Sequence, residues 1–321
     1  MNSLGIPNLK GRSLLQINDL SQDELLGLID KSIEIKRLFK SEDEATIKSQ
    51  PLLGKSLAMI FQKRSTRTRV STETGIGLLG GRALFLGPSD IQLGVNESLK
   101  DTAKVLGNYN SIILARVFSH EDVTTLKNEA NVPVINALSD MHHPLQALAD
   151  LTTLIENFGS KDLKGKAIAW VGDGNNVLHD LMLGCAMLGI NLRISCPKKY
   201  LPNEDLINLA SSIGSKQDST VFLCDDPEIC VEGCIAIFTD TWISMGQEAE
   251  AKERIVAFEG YQVTSSLMAK ASPECIFMHC LPRHNEEVTD EVFYGDKSVV
   301  FQEAENRMWT VMAVMLSLLG K

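Results

Sequence analysis

The sequence predicts an α/β protein with two doubly wound parallel-sheet domains joined by inter-domain helices. Short apolar runs alternate with helical stretches in two successive series, the pattern of parallel strands crossed over by helices. At 321 residues the chain has room for two ordinary domains, each with a substantial core. Polar residues capable of chemistry recur just after the expected strands, where open α/β sheets bind their ligands.

Ser21-Gln22-Asp23-Glu24 has the form of a capping box and opens a helix that runs to about Lys40. Apolar runs place strands at 56–61, 83–86, 112–116 and 133–136. A second series falls at 167–171, 192–196, 220–223, 235–239, 276–279 and 298–301. Between the two, a helix opened by Pro144 carries Leu148, Leu151, Leu154 and Ile155 at helical spacing, and Gly159 ends it. That helix marks the divide. Residues 1–146, joined by a C-terminal helix 303–321, form one expected domain, and 147–302 form the other. The irregular stretch 87–96 is long enough to be functional rather than a plain connection.

Composition narrows the function. Hydrophobic residues make up 44% and charged residues 22%, as in soluble globular proteins. A net charge of −10 argues against nucleic-acid binding, which needs a basic face. No apolar stretch approaches the length of a membrane span, and neither a secretory signal nor an Arg-rich leader is visible. Seven cysteines, an odd number, suit a reducing compartment better than a disulfide framework. Cytoplasm and a mitochondrial matrix, after removal of a presequence, both qualify. Cys224, Cys230 and Cys234 lack the paired spacing of a structural zinc site. Gly172-Asp173-Gly174-Asn175-Asn176-Val177 is close to a dinucleotide fingerprint, but Val177 replaces its third glycine. The next strand leads into Pro197-Lys198-Lys199, where a nicotinamide site needs an acid. No cofactor and no metal are expected.

Ser65-Thr66-Arg67-Thr68-Arg69 carries the sharpest chemical signal. It sits where a strand ends and a helix begins, so backbone N–H groups, the helix dipole and forked arginines favour an anion such as phosphate. A plain N-cap with solvated arginines is the competing reading. Arg116 and Asn136 end further strands, and Arg116 by itself reads equally well as a surface ion-pairing residue. His142-His143-Pro144-Leu145-Gln146 is a helix start whose imidazole and carboxamide could address a carbonyl and an amide. Asp240 follows a strand and suits an ammonium group, while Trp242 and Met245 in the same loop read equally as packing residues. Cys280, between His279 and Arg283, has a polar setting that leaves nucleophile, base or hydrogen-bond partner open. Arg307 stands in the expected first helical turn after Glu303, against the helix dipole, and so calls for a partner elsewhere.

In their fixed order, Ser65-Thr66-Arg67-Thr68-Arg69, His143-Pro144-Leu145-Gln146, Asp240 to Gly246 and His279-Cys280-Leu281-Pro282 closely resemble the motifs of the aspartate/ornithine carbamoyltransferase family. The resemblance runs from about Leu9 to Leu319. It implies a carbamoyl-phosphate domain, an amino-acid domain, two linking helices and a homotrimer. It also implies transfer of the carbamoyl group of carbamoyl phosphate to an amino-acid amine. By this resemblance Ser65, Thr66, Arg67, Thr68 and Arg116 hold the phosphate, with Gln92 reaching in from the long loop. His143 and Arg116 address the carbonyl oxygen, and Gln146 holds the carbamoyl NH2. Arg307 and the Cys280-Leu281 backbone complete the set. Asn176, Asp240, Ser244 and Met245 surround the α-amino and α-carboxylate groups, and Cys280 with Asp240 orients the attacking amine. Arg67, Arg116, His143 and Cys280 are the expected catalytic residues.

The Ser244-Met245-Gly246 loop favours L-ornithine. Aspartate would need extra basic groups for its second carboxylate, and putrescine has no α-carboxylate to bind. Two positions depart from many relatives: Arg283-His284 stands where bacterial members have Ala-Phe, and Asn96 stands where some have a lysine that reaches the neighbouring subunit's site.

Overall fold

The computed structural model describes residues 7–89, 97–159, 163–244 and 247–321. The chain divides into two compact units, Met1–Thr152 with Glu305–Lys321 and Thr153–Ala304.

The first unit opens with α1 (Gln22–Lys40), whose capping box forms as the sequence dictates. Ser21 Oγ accepts from the Glu24 N–H, and the Glu24 carboxylate accepts from the Ser21 N–H at 2.8 Å. A short α2 (Glu44–Ser49) leads to β1 (Ser56–Phe61), α3 (Thr66–Leu78) and β2 (Arg82–Leu86). Then come α4 (Leu99–Tyr109), β3 (Ile112–Arg116), α5 (His120–Glu129), β4 (Val134–Leu138) and α6 (Pro144–Phe158). The four strands form a parallel sheet in the order β2-β1-β3-β4. Leu57 to Phe61 are buried on both faces, which is why β1 reads as an unbroken apolar run rather than an alternation. Phe61 is in register with Arg116, and Arg116 with Leu138 after a register shift. The loops that leave β1, β3 and β4 therefore start side by side.

The second unit carries β5 (Ala167–Val171), α7 (Asn176–Leu188), β6 (Asn191–Ser195), α8 (Glu204–Gly214) and β7 (Val221–Leu223). It continues with α9 (Pro227–Val231), β8 (Ala236–Thr239), α10 (Ala251–Ala257), α11 (Ser265–Met268), β9 (Ile276–His279) and α12 (Asp290–Phe293). Its parallel sheet has the order β7-β6-β5-β8-β9, so the strand order reverses between β5 and β8. Val171 pairs with Ser195 and Thr239 with His279, which aligns the loops after β5, β8 and β9 at one edge. All seven cysteines are free thiols, and Cys224, Cys230, Cys234 and Cys275 pack in this unit's core as small apolar residues.

Two expectations need correction. Residues 298–301 are not a strand: Ser298 makes one isolated bridge to Phe277, and α13 (Val300–Leu319) begins two residues later. Val299, Val300 and Phe301 form an apolar run in sequence, but Val300 is buried and Phe301 62% exposed because the run leads into the first turn of a helix. Arg307 consequently lies well inside α13, not in its first turn. Nor does Asn136 end its strand. β4 runs on to Leu138, and the Asn136 side chain is wholly buried, donating to the carbonyls of Leu15 (2.8 Å) and His142 (3.3 Å). Its work is to fix the turn before His143. Among the described residues no helix is long and apolar enough to cross a membrane.

Candidate active site

In the first unit Ser65 caps α3, its Oγ accepting from the Thr68 N–H at 3.3 Å. The first turn of α3 holds no acidic residue, so nothing within it offsets the positive end of the helix dipole. Three guanidinium groups, those of Arg307, Arg116 and Arg67, act electrostatically on His143. Burial and these three cations hold the imidazole well below its ordinary pKa, so His143 is neutral. It can hydrogen-bond a carbonyl oxygen without carrying a charge of its own. Arg307 donates through Nη1 to Gln146 Oε1 at 2.6 Å and through Nη2 to Thr68 Oγ1 at 3.2 Å. Gln146 in turn donates from Nε2 to Asp150 Oδ1 at 2.8 Å.

Lys63 adds a fourth cation: burial and Arg116 lower its pKa, and its Nζ lies 4.8 Å from the Phe118 ring centroid. Such a gathering of positive charge on a chain of net charge −10 suits a small, doubly charged anion. Arg69 is not part of it. Its side chain pairs with Glu73 at 3.2 Å and stacks over Phe85.

The neutral His143 has a stability consequence. The unfolded chain takes up a proton there near pH 6.5 while the native protein does not, so this residue makes stability fall as pH drops through that value. Asp173 works in the opposite sense, because burial raises its carboxyl to about 6. Comparing the parent with His143→Asn isolates the histidine: the urea midpoint should lose less between pH 7.5 and 5.5 in the variant. Equal losses would mean that the native imidazole is protonated.

In the second unit the loop after β5 begins with Gly172 at φ +139°, a left-handed conformation that favours glycine. A Cβ on Gly174 would lie 2.3 Å from the Pro202 nitrogen, so only glycine lets this loop pass the 200–202 segment. Asn175 then caps α7 through Oδ1 and donates from Nδ2 to Asp240 Oδ2 at 2.6 Å. The other oxygen of Asp240 accepts from the Thr241 N–H at 2.7 Å and from the Cys280 thiol at 2.9 Å. Asn176 and Ser244 are half-buried, and the Ser244 N–H donates to Gln247 Oε1 at 3.0 Å.

Cys280 is the one cysteine not buried. Leu281 follows it at φ +61°, its N–H donating to His279 Nδ1, and His279 Nε2 lies 3.2 Å from Glu287 Oε1. Arg283 turns the other way, to the Val288 carbonyl and the Asp290 carboxylate. Asp240, His279 and Cys280 place donor atoms within 4.8 Å of one another, the one such group among the described residues that could hold a metal. Both imidazole nitrogens and the thiol already have hydrogen-bond partners, so the group reads as a braced network. A buried ion pair supports the same loops: Arg254 donates to Asp173 Oδ2 and to the Trp242 carbonyl.

The structure thus gathers Ser65, Thr66, Arg67, Thr68, Arg116, His143, Gln146 and Arg307 in the first unit. Asn176, Asp240, Ser244, Cys280 and Leu281 stand at the strand ends of the second. Gln92, Asn96 and Met245 lie outside the described residues. Sequence reading missed Lys63, Asp150, Asn175, Arg254 and Glu287. Only Asn175 had a visible signal, an Asn just before an apolar helix. The others are set by partners far along the chain or one helical turn away.

Two family models match. Residues 12–156 match "Aspartate/ornithine carbamoyltransferase, carbamoyl-P binding domain", and residues 164–318 match the "Asp/Orn binding domain" of the same family. The chain is 52% identical over 310 residues to a mitochondrial ornithine carbamoyltransferase of Schizosaccharomyces pombe, covering 96% of this chain and 94% of that protein. It is 45% identical to the ornithine carbamoyltransferase of Bacillus subtilis over 323 residues, covering 100% of this chain and 98% of the relative. Among solved structures, ornithine carbamoyltransferase from Pyrococcus furiosus superposes with a TM-score of 0.93 at 44% identity, covering 98% of each chain.

Proposed function

The chain belongs to the aspartate/ornithine carbamoyltransferase family, and from that membership we infer that it transfers the carbamoyl group of carbamoyl phosphate to the δ-amine of L-ornithine. The products are L-citrulline and phosphate, as arginine biosynthesis and the urea cycle require. The observation that carries this reading is the buried His143 among Arg67, Arg116 and Arg307, with Arg307 bonded to both Gln146 and Thr68. A carbamoyl phosphate molecule offers that cluster a dianion for its cations and a carbonyl for its imidazole.

In the reaction, Ser65, Thr66, Arg67, Thr68 and Arg116 hold the phosphate, and Arg307 adds a further guanidinium. His143 and Arg116 donate to the carbonyl oxygen, and Gln146 accepts from the carbamoyl NH2. The unprotonated δ-amine attacks the carbonyl carbon to give a tetrahedral intermediate, and the C–O bond to phosphate then breaks. Negative charge grows first on the carbonyl oxygen and then on the departing phosphate, and fixed donors stabilise both. Asp240, Asn176, Ser244 and Met245 bind the α groups of ornithine. Cys280, its thiol fixed against Asp240, orients the amine, and the departing phosphate, basic as it leaves, takes up the proton that the amine sheds. An amine of this type is protonated near neutral pH, so turnover should climb toward alkaline pH. Phosphate is already an activated leaving group, so the chemistry calls for no cofactor.

Residues 1–146 with 303–321 would form the carbamoyl-phosphate domain, and 147–302 the ornithine domain. A homotrimer is part of the reading. It is supported by apolar side chains left exposed on α3 and the edge strand β2, notably Val70 and Leu84. A reducing compartment, cytoplasm or mitochondrial matrix, suits its seven free thiols. Incubation with carbamoyl phosphate and ornithine, putrescine, N-acetylornithine or aspartate tests the assignment. Citrulline should be the main product. Product with none of the four would sink the transferase reading, and product mainly with putrescine would sink the ornithine assignment.

A further inference from the structure

We propose that Asp150 is a positioning residue that fixes the orientation of the Gln146 carboxamide and thereby sets the preference for a carbamoyl NH2 over a methyl group. The proposal rests on the assignment of Gln146 to the carbamoyl group above. A carboxamide has two ends of nearly the same shape and opposite hydrogen-bonding sense, so a buried glutamine recognises an NH2 only if its oxygen is held facing the right way. Gln146 and Asp150 are each 1% exposed, so neighbouring protein groups set how the carboxamide is held.

Four residues separate the two on α6, which stacks them on one face of the helix. Asp150 Oδ1 accepts from Gln146 Nε2 at 2.8 Å. A carboxylate only accepts, so turning the amide over would press Oε1 against Oδ1 with no proton between them. At the other end Arg307 only donates, and it reaches Oε1 at 2.6 Å. Both neighbours therefore select the same orientation.

Arg307 is also anchored to Thr68 in the first turn of α3, and by the reading above it is drawn upon by the substrate. Asp150 lies one step behind the substrate and stays as the anchor. An amide oxygen accepts two hydrogen bonds, so Gln146 Oε1 can serve Arg307 and a substrate N–H together. To a methyl group in the same place it offers only an unmet acceptor. Sites built around a hydrogen bond reject analogues that lack it far more strongly than apolar pockets reject a size change.

The test uses two stable phosphonates that differ in one group. Phosphonoacetamide presents a carboxamide NH2, and acetonylphosphonate presents a methyl ketone. By calorimetry the parent should bind phosphonoacetamide at least about tenfold more tightly than acetonylphosphonate. In Asp150→Asn, whose own amide can face either way so that the selection falls to Arg307, that ratio should fall at least about threefold while acetonylphosphonate affinity stays unchanged. Asp150→Ser, whose hydroxyl both donates and accepts, should show the same collapse. An unchanged ratio in both variants would overturn the proposal, as would equal weakening of both ligands, which marks a merely structural acid. A parent that binds neither phosphonate and forms no citrulline would instead fail the functional assignment itself.

Discussion

Arg67→Ala should lower kcat/KM for carbamoyl phosphate by about a thousandfold, on the scale seen when a donor to developing transition-state charge is removed. Arg67 follows the cap residue Ser65 in the first turn of α3, and its guanidinium is one of three that act on His143. Its side chain is half-buried and belongs to neither apolar core, so the melting temperature should move little. The variant leaves the helix cap intact, because the Ser65–Thr68 hydrogen bond does not involve it. Arg67→Lys separates charge from geometry. A lysine restores the cation without the planar fork, and only part of the activity should return. Steady-state kinetics on both variants decides the matter: near-normal turnover in Arg67→Ala would return the motif to an ordinary helix cap.

Asp240→Asn should reduce kcat/KM for ornithine about a hundredfold, the equivalent of roughly 3 kcal/mol. The carboxylate accepts three hydrogen bonds, from Asn175, Thr241 and Cys280. An asparagine keeps one acceptor oxygen and turns a donor either toward Asn175 or toward both the Thr241 N–H and the thiol, so at least one of these contacts is lost. It also removes the negative charge that an ammonium group needs. Binding of phosphonoacetamide should change far less, because all the residues proposed to hold it except the Cys280-Leu281 backbone belong to the other unit. A variant that loses both substrates together would place Asp240 among the residues that merely hold the fold.

Much of this molecule is legible residue by residue. β1, β3, β5 and β9 run over 56–61, 112–116, 167–171 and 276–279, as their apolar runs predict, and α1 starts at its capping box. These signals are local, and burial on both faces of a parallel strand leaves a run that little else imitates. The run at 298–301 has the same local character, and there the reading fails. One bridge to Phe277 is all the sheet takes before the chain turns into α13. Nothing in a four-residue apolar run distinguishes a strand from the start of a helix.

The sequence by itself determined the two α/β sheets, the placing of Ser65–Arg69, Arg116, Asp240 and Cys280 at strand ends, and the motifs that mark the family. Each depends on neighbours in the chain or on motif order. Tertiary structure alone decided how the charges are used. It surrounded His143 with cations from three other elements and so made it neutral, tied Arg307 to Gln146 and Thr68, and sent Arg69 and Arg283 away from the site. A side chain's ionisation and aim are set by what lies within a few ångströms of it in space. In a parallel sheet those neighbours come from strands separated by whole crossovers, which no local pattern records.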